Sequence, residues 1–191
     1  MKYSRSFKTV LIEVFSIVLG VMLALGVSEW QQEREYAQLA DTALANIARE
    51  LESNLEVLTV IHENNAETIA LAQADADDPD ASTEDRQFIP GVQMRSTAWE
   101  ALLSSGLSNH IEYQLLLSLS EIYSSQGIYR QMGLQIVEAS MSMAAMATVN
   151  QTELDNEVFQ EQFGSFFNML LQMEETLLEG YEETIVSLAK E

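Results

Sequence analysis

The chain opens on a run of apolar positions and then changes rhythm. From Thr9 to Val27, 19 consecutive residues carry one charge, Glu13. That length is close to the ~20 residues a helix needs to cross a hydrocarbon core of about 30 Å. Beyond it the apolar residues become periodic. Tyr36, Leu39, Ala43, Leu44, Ile47, Leu51, Leu55, Leu58, Ile61, Asn65 and Ile69 recur at spacings of one, three or four, as on one helical face. Neither Gly nor Pro separates this stretch from the apolar run, so the pattern predicts a single long helix emerging as a stalk. Residues 74–96 break it with both prolines and a cluster of acids, which predicts a mobile connection. The remainder, 97–191, returns to helical spacing: a short helix from Thr97, then helices over 110–125, 128–148 and 156–189. The expected layout is a basic tail (1–8), a transmembrane helix (9–28), a long amphipathic helix (29–73), an acidic loop (74–96) and the rest of a bundle of about four helices. The fold class is all-α.

Composition agrees. Apolar residues make up 47% of the chain, with 8 Gly, 2 Pro and no Cys, so turn-formers are scarce and neither disulfides nor thiolate metal sites can form. Charge adds an orientation. Lys2, Arg5 and Lys8 fall in the first eight residues with no acid among them, whereas from residue 9 onward six Lys and Arg stand against 30 Asp and Glu, a balance of −24. Basic residues before the span and acids after it (Glu29, Glu33, Glu35) place the N-terminus in the cytoplasm and the body outside. Trp30 and Tyr36 suit the outer interface. Nucleic acid is excluded as a partner by the acidity, and the body is repelled by anionic head groups. The rival reading is a cleaved signal peptide, with Ala24-Leu25-Gly26 as the cleavage region. The apolar run is longer than a usual signal core, and the uncleaved anchor is the expectation.

Within the span, Glu13, Gly20 and Ala24 fall within about 40° of one another at 100° per residue. Leu11, Phe15, Val18, Met22 and Leu25 occupy the opposite face. Ser16, Gly20, Ala24 and Ser28 form a small-residue series that lets a second helix approach closely. An intramembrane carboxylate faces protein or water rather than lipid. Glu13, Ser16, Gly20 and Ala24 are therefore the candidate contact with another transmembrane helix, of a second copy or a foreign subunit. Snorkelling of Glu13 to the cytoplasmic interface is the alternative.

At the start of the second half, Thr97 with Glu100 three positions on reads as a capping box, and Gly106 as the stop. Trp99, Leu102, Leu103, Ile111, Leu115, Leu119, Ile122 and Tyr123 are expected to bury the joint. The order "LIEVFSIVLGVMLALGVSEWQQERE", long amphipathic helix, then "TAWEALLSSG" and an Ile/Leu-rich helix ending in "IY" resembles a family of small bacterial single-pass membrane proteins catalogued as a domain of unknown function. The likeness covers about residues 5–125. It implies a membrane location and an extracytoplasmic helical domain, and brings no activity and no catalytic residues.

Chemistry is sparse. His62 and His110 lack a Glu three residues before them and any His-Glu-x-x-His pattern, so both read as structural. Of Met141, Met143 and Met146, the first two are two apart and do not share a helix face, so the three read as core filler rather than a copper site. Asp75, Asp77 and Asp78 lack the glycine turn and terminal Glu of a calcium loop. The pairs Glu174/Glu175 and Glu182/Glu183 read as solvated faces, and a second span over 134–149 is too short and polar. No cofactor or metal is expected. The expectation is a non-enzymatic interaction or assembly subunit presenting an acidic ectodomain. A ligand-sensing ectodomain that signals through a partner protein is the alternative.

Overall fold

The computed structural model describes residues 3–75, 88–91, 93–150 and 156–190, with side chains over most of these. Every regular element among them is helical: α1 (Tyr3–Asp75), α2 (Thr97–Ser105), a 3-10 turn (Leu107–His110), α3 (Tyr113–Asn150) and α4 (Asn156–Leu188). α1 is 73 residues long, about 110 Å at 1.5 Å per residue.

Along α1 the described side chains change environment once. From Thr9 to Leu39 all are exposed, and the first buried residue is Ala40. From there Ala40, Ile47, Leu51, Asn54, Leu58, Ile61 and Asn65 form one buried stripe at spacings that sum threes and fours. α4 repeats the rhythm with Leu170, Glu174, Leu177, Tyr181 and Thr184, and α3 does so with Leu115, Leu119, Ile122, Gln126, Tyr129 and Ile136. α4 packs against both α1 and α3, while α2 and the 3-10 turn lie on α1. Stacking of Tyr36 on His110, with ring centroids 4.9 Å apart, fixes the lower edge of the body. Tyr36 is nine residues past Val27, about 14 Å along the helix, so little free stalk separates the body from the apolar run.

Several expectations shift. Residues 110–125 and 128–148 are one helix, because Gly127 sits inside α3 while the buried stripe continues across it. A lone glycine costs a helix roughly 1 kcal/mol, less than packing on both sides returns. α3 begins at Tyr113 rather than at 110, and Glu112 just before it caps the first turn, its Oε2 accepting the Leu115 N–H at 2.8 Å. The cap of α2 moves by one residue: Ser96 is the N-cap and Thr97 the first helical residue. Glu100 bonds the Ser96 hydroxyl at 2.6 Å rather than a backbone amide, so the capping box does not form. A tertiary cap replaces it, since Glu50 Oε2 on α1 accepts the Ala98 N–H at 2.9 Å. Gly106 does end α2, at φ 75°, a left-handed geometry that a Cβ would strain. Trp99 stacks on Tyr123 at 5.3 Å between centroids, and Leu102 is buried, but Leu103 faces solvent. Met141 is exposed, which removes it from the core, and the Met143 and Met146 side chains lie outside the described residues.

The connection between α1 and α2 departs furthest from expectation. Residues 76–87, with Asp77 and Asp78, lie outside the described residues. Over 88–91 and 93–96, however, the chain is a strap built into the body. Gly91 and Met94 are buried, and the Phe88 ring packs on Phe167 at 4.7 Å.

Candidate functional site

The strap is held by two asparagines of α1. Asn65 accepts the Ile89 N–H at 2.8 Å and donates from Nδ2 to the Ile89 carbonyl at 3.0 Å. Three turns earlier, Asn54 accepts the Arg95 N–H at 2.9 Å and donates to the Arg95 carbonyl at 2.8 Å. Each carboxamide thus satisfies both main-chain polar groups of one residue. Eleven helical positions rise about 16 Å, and six residues of chain reach at most about 21 Å. With Asn65 on Ile89 and Asn54 on Arg95, the strap runs antiparallel to α1.

Behind each asparagine stands the same device. The second Nδ2 hydrogen of Asn65 goes to Glu174 Oε1 at 2.8 Å, and that oxygen also accepts from the Tyr129 hydroxyl at 2.5 Å. The second hydrogen of Asn54 goes to Gln126 Oε1 at 3.2 Å, and that oxygen accepts from the Tyr181 hydroxyl at 2.7 Å. In the first module α4 supplies the acceptor and α3 the tyrosine; in the second the roles are exchanged. Gln126 Nε2 adds a bond to the Arg95 carbonyl at 2.9 Å. Glu174 has one oxygen more, and there His62 Nδ1 sits 3.1 Å from Oε2. The Glu174 side chain is fully buried, while that of His62 keeps 22% of its surface open.

Burial pushes the Tyr129 phenol above its ordinary value, and the hydrogen bond to Glu174 adds to the shift. Tyr123 is raised by burial and then by Glu50, whose Oε1 accepts its hydroxyl at 2.8 Å. Tyr181 is raised by burial and then by the charge of Glu50. Among the described residues no buried side-chain nitrogen or oxygen lacks a partner. An unpaired buried polar group costs about 1–3 kcal/mol, so full pairing is what makes this interior affordable.

Sequence reasoning placed Glu174 on a solvated face, and the structure overturns that: its register between Leu170 and Leu177 puts the side chain in the core. Asn65 stood in the predicted stripe, and Tyr181 in the predicted helix over 156–189, both without partners. Asn54, Gln126 and Tyr129 were missed, although position 54 lies three after Leu51 and four before Leu58, a core register that any residue there must share. Of the two histidines, His62 pairs with Glu174 and His110 stacks on Tyr36.

The second candidate region is the apolar part of α1. Glu13, Ser16, Gly20 and Ala24 are all exposed, and among the described residues no other element packs on them. The Ser16 hydroxyl donates to the Ile12 carbonyl at 2.8 Å, and a Cβ at Gly20 would meet nothing within 4 Å. Large apolar side chains around the whole circumference are open: Ile17 63%, Met22 68%, Leu23 62%. This helix is long and apolar enough to cross a membrane. Among the described residues no group of three His, Asp or Glu side chains converges as a metal site. Comparison with protein-family models, with curated proteins and with solved structures finds no match.

Proposed function

We propose that the protein is a non-enzymatic, single-pass membrane-anchored interaction or assembly subunit. In this reading α1 crosses the bacterial inner membrane with its N-terminus in the cytoplasm, and the acidic body stands outside. The face bearing Glu13, Ser16, Gly20 and Ala24 meets another transmembrane helix, and the face bearing Met22 and Leu25 meets lipid. The observation that carries the reading is the continuity of α1: one helix without a break supplies both the uncovered apolar segment and the central stripe of the body. A displacement of the anchor by a partner is then passed to the body through a helix, not through a linker. Membership of the family of single-pass proteins of unknown function that the sequence resembles is part of the same proposal.

A ligand-sensing ectodomain is the second reading, and one observation favours it. An open groove of about 260 Å³ lies between α3 and α4, lined by Ile128, Met169, Met173 and Leu177 with Ser125, Gln172 and Thr176. Purification in mild detergent followed by native mass spectrometry separates the two. A membrane subunit retained at fixed stoichiometry supports assembly; a chain without a foreign subunit, carrying a small molecule that Met169→Trp expels, supports sensing.

A further inference from the structure

We propose that the outward face of α3 is the surface on which a second copy of this chain docks, the two α3 helices lying side by side and parallel. The surface stands apart from the apolar segment of α1. The direction of the pair rests on the membrane reading, because copies anchored in one bilayer point the same way.

α3 has one face in the body and one outside it. Leu119, Ile122, Gln126 and Tyr129 turn inward; the helix packs on α4, and hydrogen bonds join Tyr123 to Glu50 and Gln126 to Asn54 on α1. Its remaining surface carries Tyr113, Leu117, Ile128, Leu134 and Met141, all exposed. The two other long helices do not match this. Beyond Ala40 the described side chains of α1 expose one large apolar residue, Val60, and those of α4 expose two, Met169 and Val186. Charge divides the helices in the same way. α4 has seven acids and no base, and residues 29–75 of α1 have ten acids against two arginines, whereas α3 has only Glu121, Glu138 and Arg130. The most apolar outer face therefore lies on the helix nearest to neutral.

That combination selects the occupant. A basic partner is drawn to the acids of α1 and α4 and gains nothing from α3. A second copy, itself at net charge −21, is repelled least at α3. The spacing also suits a copy. Tyr113, Leu117, Ser120, Ser124, Gly127, Gln131 and Leu134 follow one another at alternating fours and threes, the seam of a two-stranded coiled coil. In a parallel pair each residue of such a seam meets itself. Leu117 and Leu134 then bury apolar surface, and Gln131 bonds to Gln131 across the seam, the kind of polar pair that fixes register. Glu138, next in the repeat, would face its own copy, so the contact ends before it.

The size of the seam points to an anchored copy as well. From Tyr113 to Leu134 it rises about 32 Å. At a width of about 10 Å it covers about 300 Å² on each copy, against about 800 Å² per partner in an interface that holds unaided. A free partner would not stay on it. Chains already held side by side by one membrane need no more, since their anchors supply the effective concentration.

The test uses the full chain in native membranes, where the absence of native cysteine makes single replacements informative. Cysteines replace Leu117, Ser124 or Gln131 one at a time and are oxidised. Val60→Cys and Val186→Cys, exposed on α1 and α4, are the controls. Disulfide-linked dimers from 117, 124 and 131, with none from 60 and 186, are the expected result. Adding Ser124→Glu to Leu117→Cys sets two carboxylates face to face and should lower the dimer yield at least ~10-fold. No dimer from any seam position, or equal yields from the controls, overturns the proposal. So does a link to a foreign protein in place of the dimer, and so does Leu117→Cys joining Leu134→Cys but not itself, which marks an antiparallel pair. Alkaline carbonate extraction of the same membranes reads the anchor separately. Release of the chain refutes the span, whereas a retained chain without seam dimers refutes the docking alone.

Discussion

Removing the Asn65 carboxamide should show how much the strap depends on it. Asn65→Ala deletes the bonds to the Ile89 N–H and carbonyl and the donor to Glu174 Oε1. Two neutral bonds are worth about 1 kcal/mol each and one to a carboxylate about 1.5–3, so the expected loss is about 3.5–5 kcal/mol. Asn65→Asp is the sharper variant. It keeps an acceptor for the Ile89 N–H but turns an oxygen toward Glu174 Oε1 where a donor stood 2.8 Å away. Two carboxylates at that distance repel, so Asp should cost more than Ala although it is the closer shape. Glu67→Ala, on the exposed side of the same helix, should stay within about 0.5 kcal/mol. Urea unfolding of the chain in mild detergent, followed by near-ultraviolet circular dichroism, gives the stabilities. Hydrogen exchange at the Ile89 amide reports the strap itself. A loss below about 1 kcal/mol in Asn65→Ala, with the Ile89 amide still protected, would refute the reasoning, as would Asp milder than Ala.

The two modules predict one another. Because Gln126 already serves as acceptor for an asparagine and a tyrosine, Glu174→Gln should be tolerated within about 1.5 kcal/mol in the same unfolding assay, whereas Glu174→Leu, which strands Asn65, Tyr129 and His62, should cost at least about 3 kcal/mol. Tyr123, Tyr129 and Tyr181 have folded-state pKa values raised above the ordinary 10.0. Their contribution to stability is complete below about pH 10 and is lost as the pH rises toward the folded-state values. Phenolate absorbance should therefore show three of the six tyrosines titrating only together with loss of the tertiary dichroism; their titration in an intact fold would contradict this. In the apolar segment, Gly20→Leu should disrupt partner retention most and Glu13→Gln least, since an amide still bonds across a helix interface and such bonds average under about 1 kcal/mol; Glu13→Leu should fall between. Retention after detergent purification is the readout, with Met22→Leu as the silent control.

What could be read from the sequence follows from how each feature is encoded. The helices of α1 and α4 are written in repeats of three and four that no other structure accommodates. The stop at Gly106 is written in one residue with the required freedom. The cap of α2 was misplaced by one because Ser96 and Thr97 are adjacent hydroxyls, and the true partner of the first turn, Glu50, is 48 residues away. The break expected between 125 and 128 is overridden by long-range packing. The polar ladder was hidden for a different reason: Asn, Gln and Glu on a helix usually face water. Only their register identifies them, because Asn54, Asn65, Gln126 and Glu174 each stand where the apolar stripe requires an inward residue. Which of them pair is set by how three helices and a strap meet, and no local pattern carries that.

The central claim, that one face of the apolar helix meets a partner helix, is open to a direct measurement because the chain contains no cysteine. Single cysteines are placed at Gly20, Met22, Ala24 and Leu25 and oxidised or bridged in native membranes. Crosslinks from positions 20 and 24, with 22 and 25 left unlinked, are the predicted result. Crosslinks from 22 and 25 without 20 and 24 would contradict it, and would leave Glu13 as a carboxylate reaching for the cytoplasmic interface.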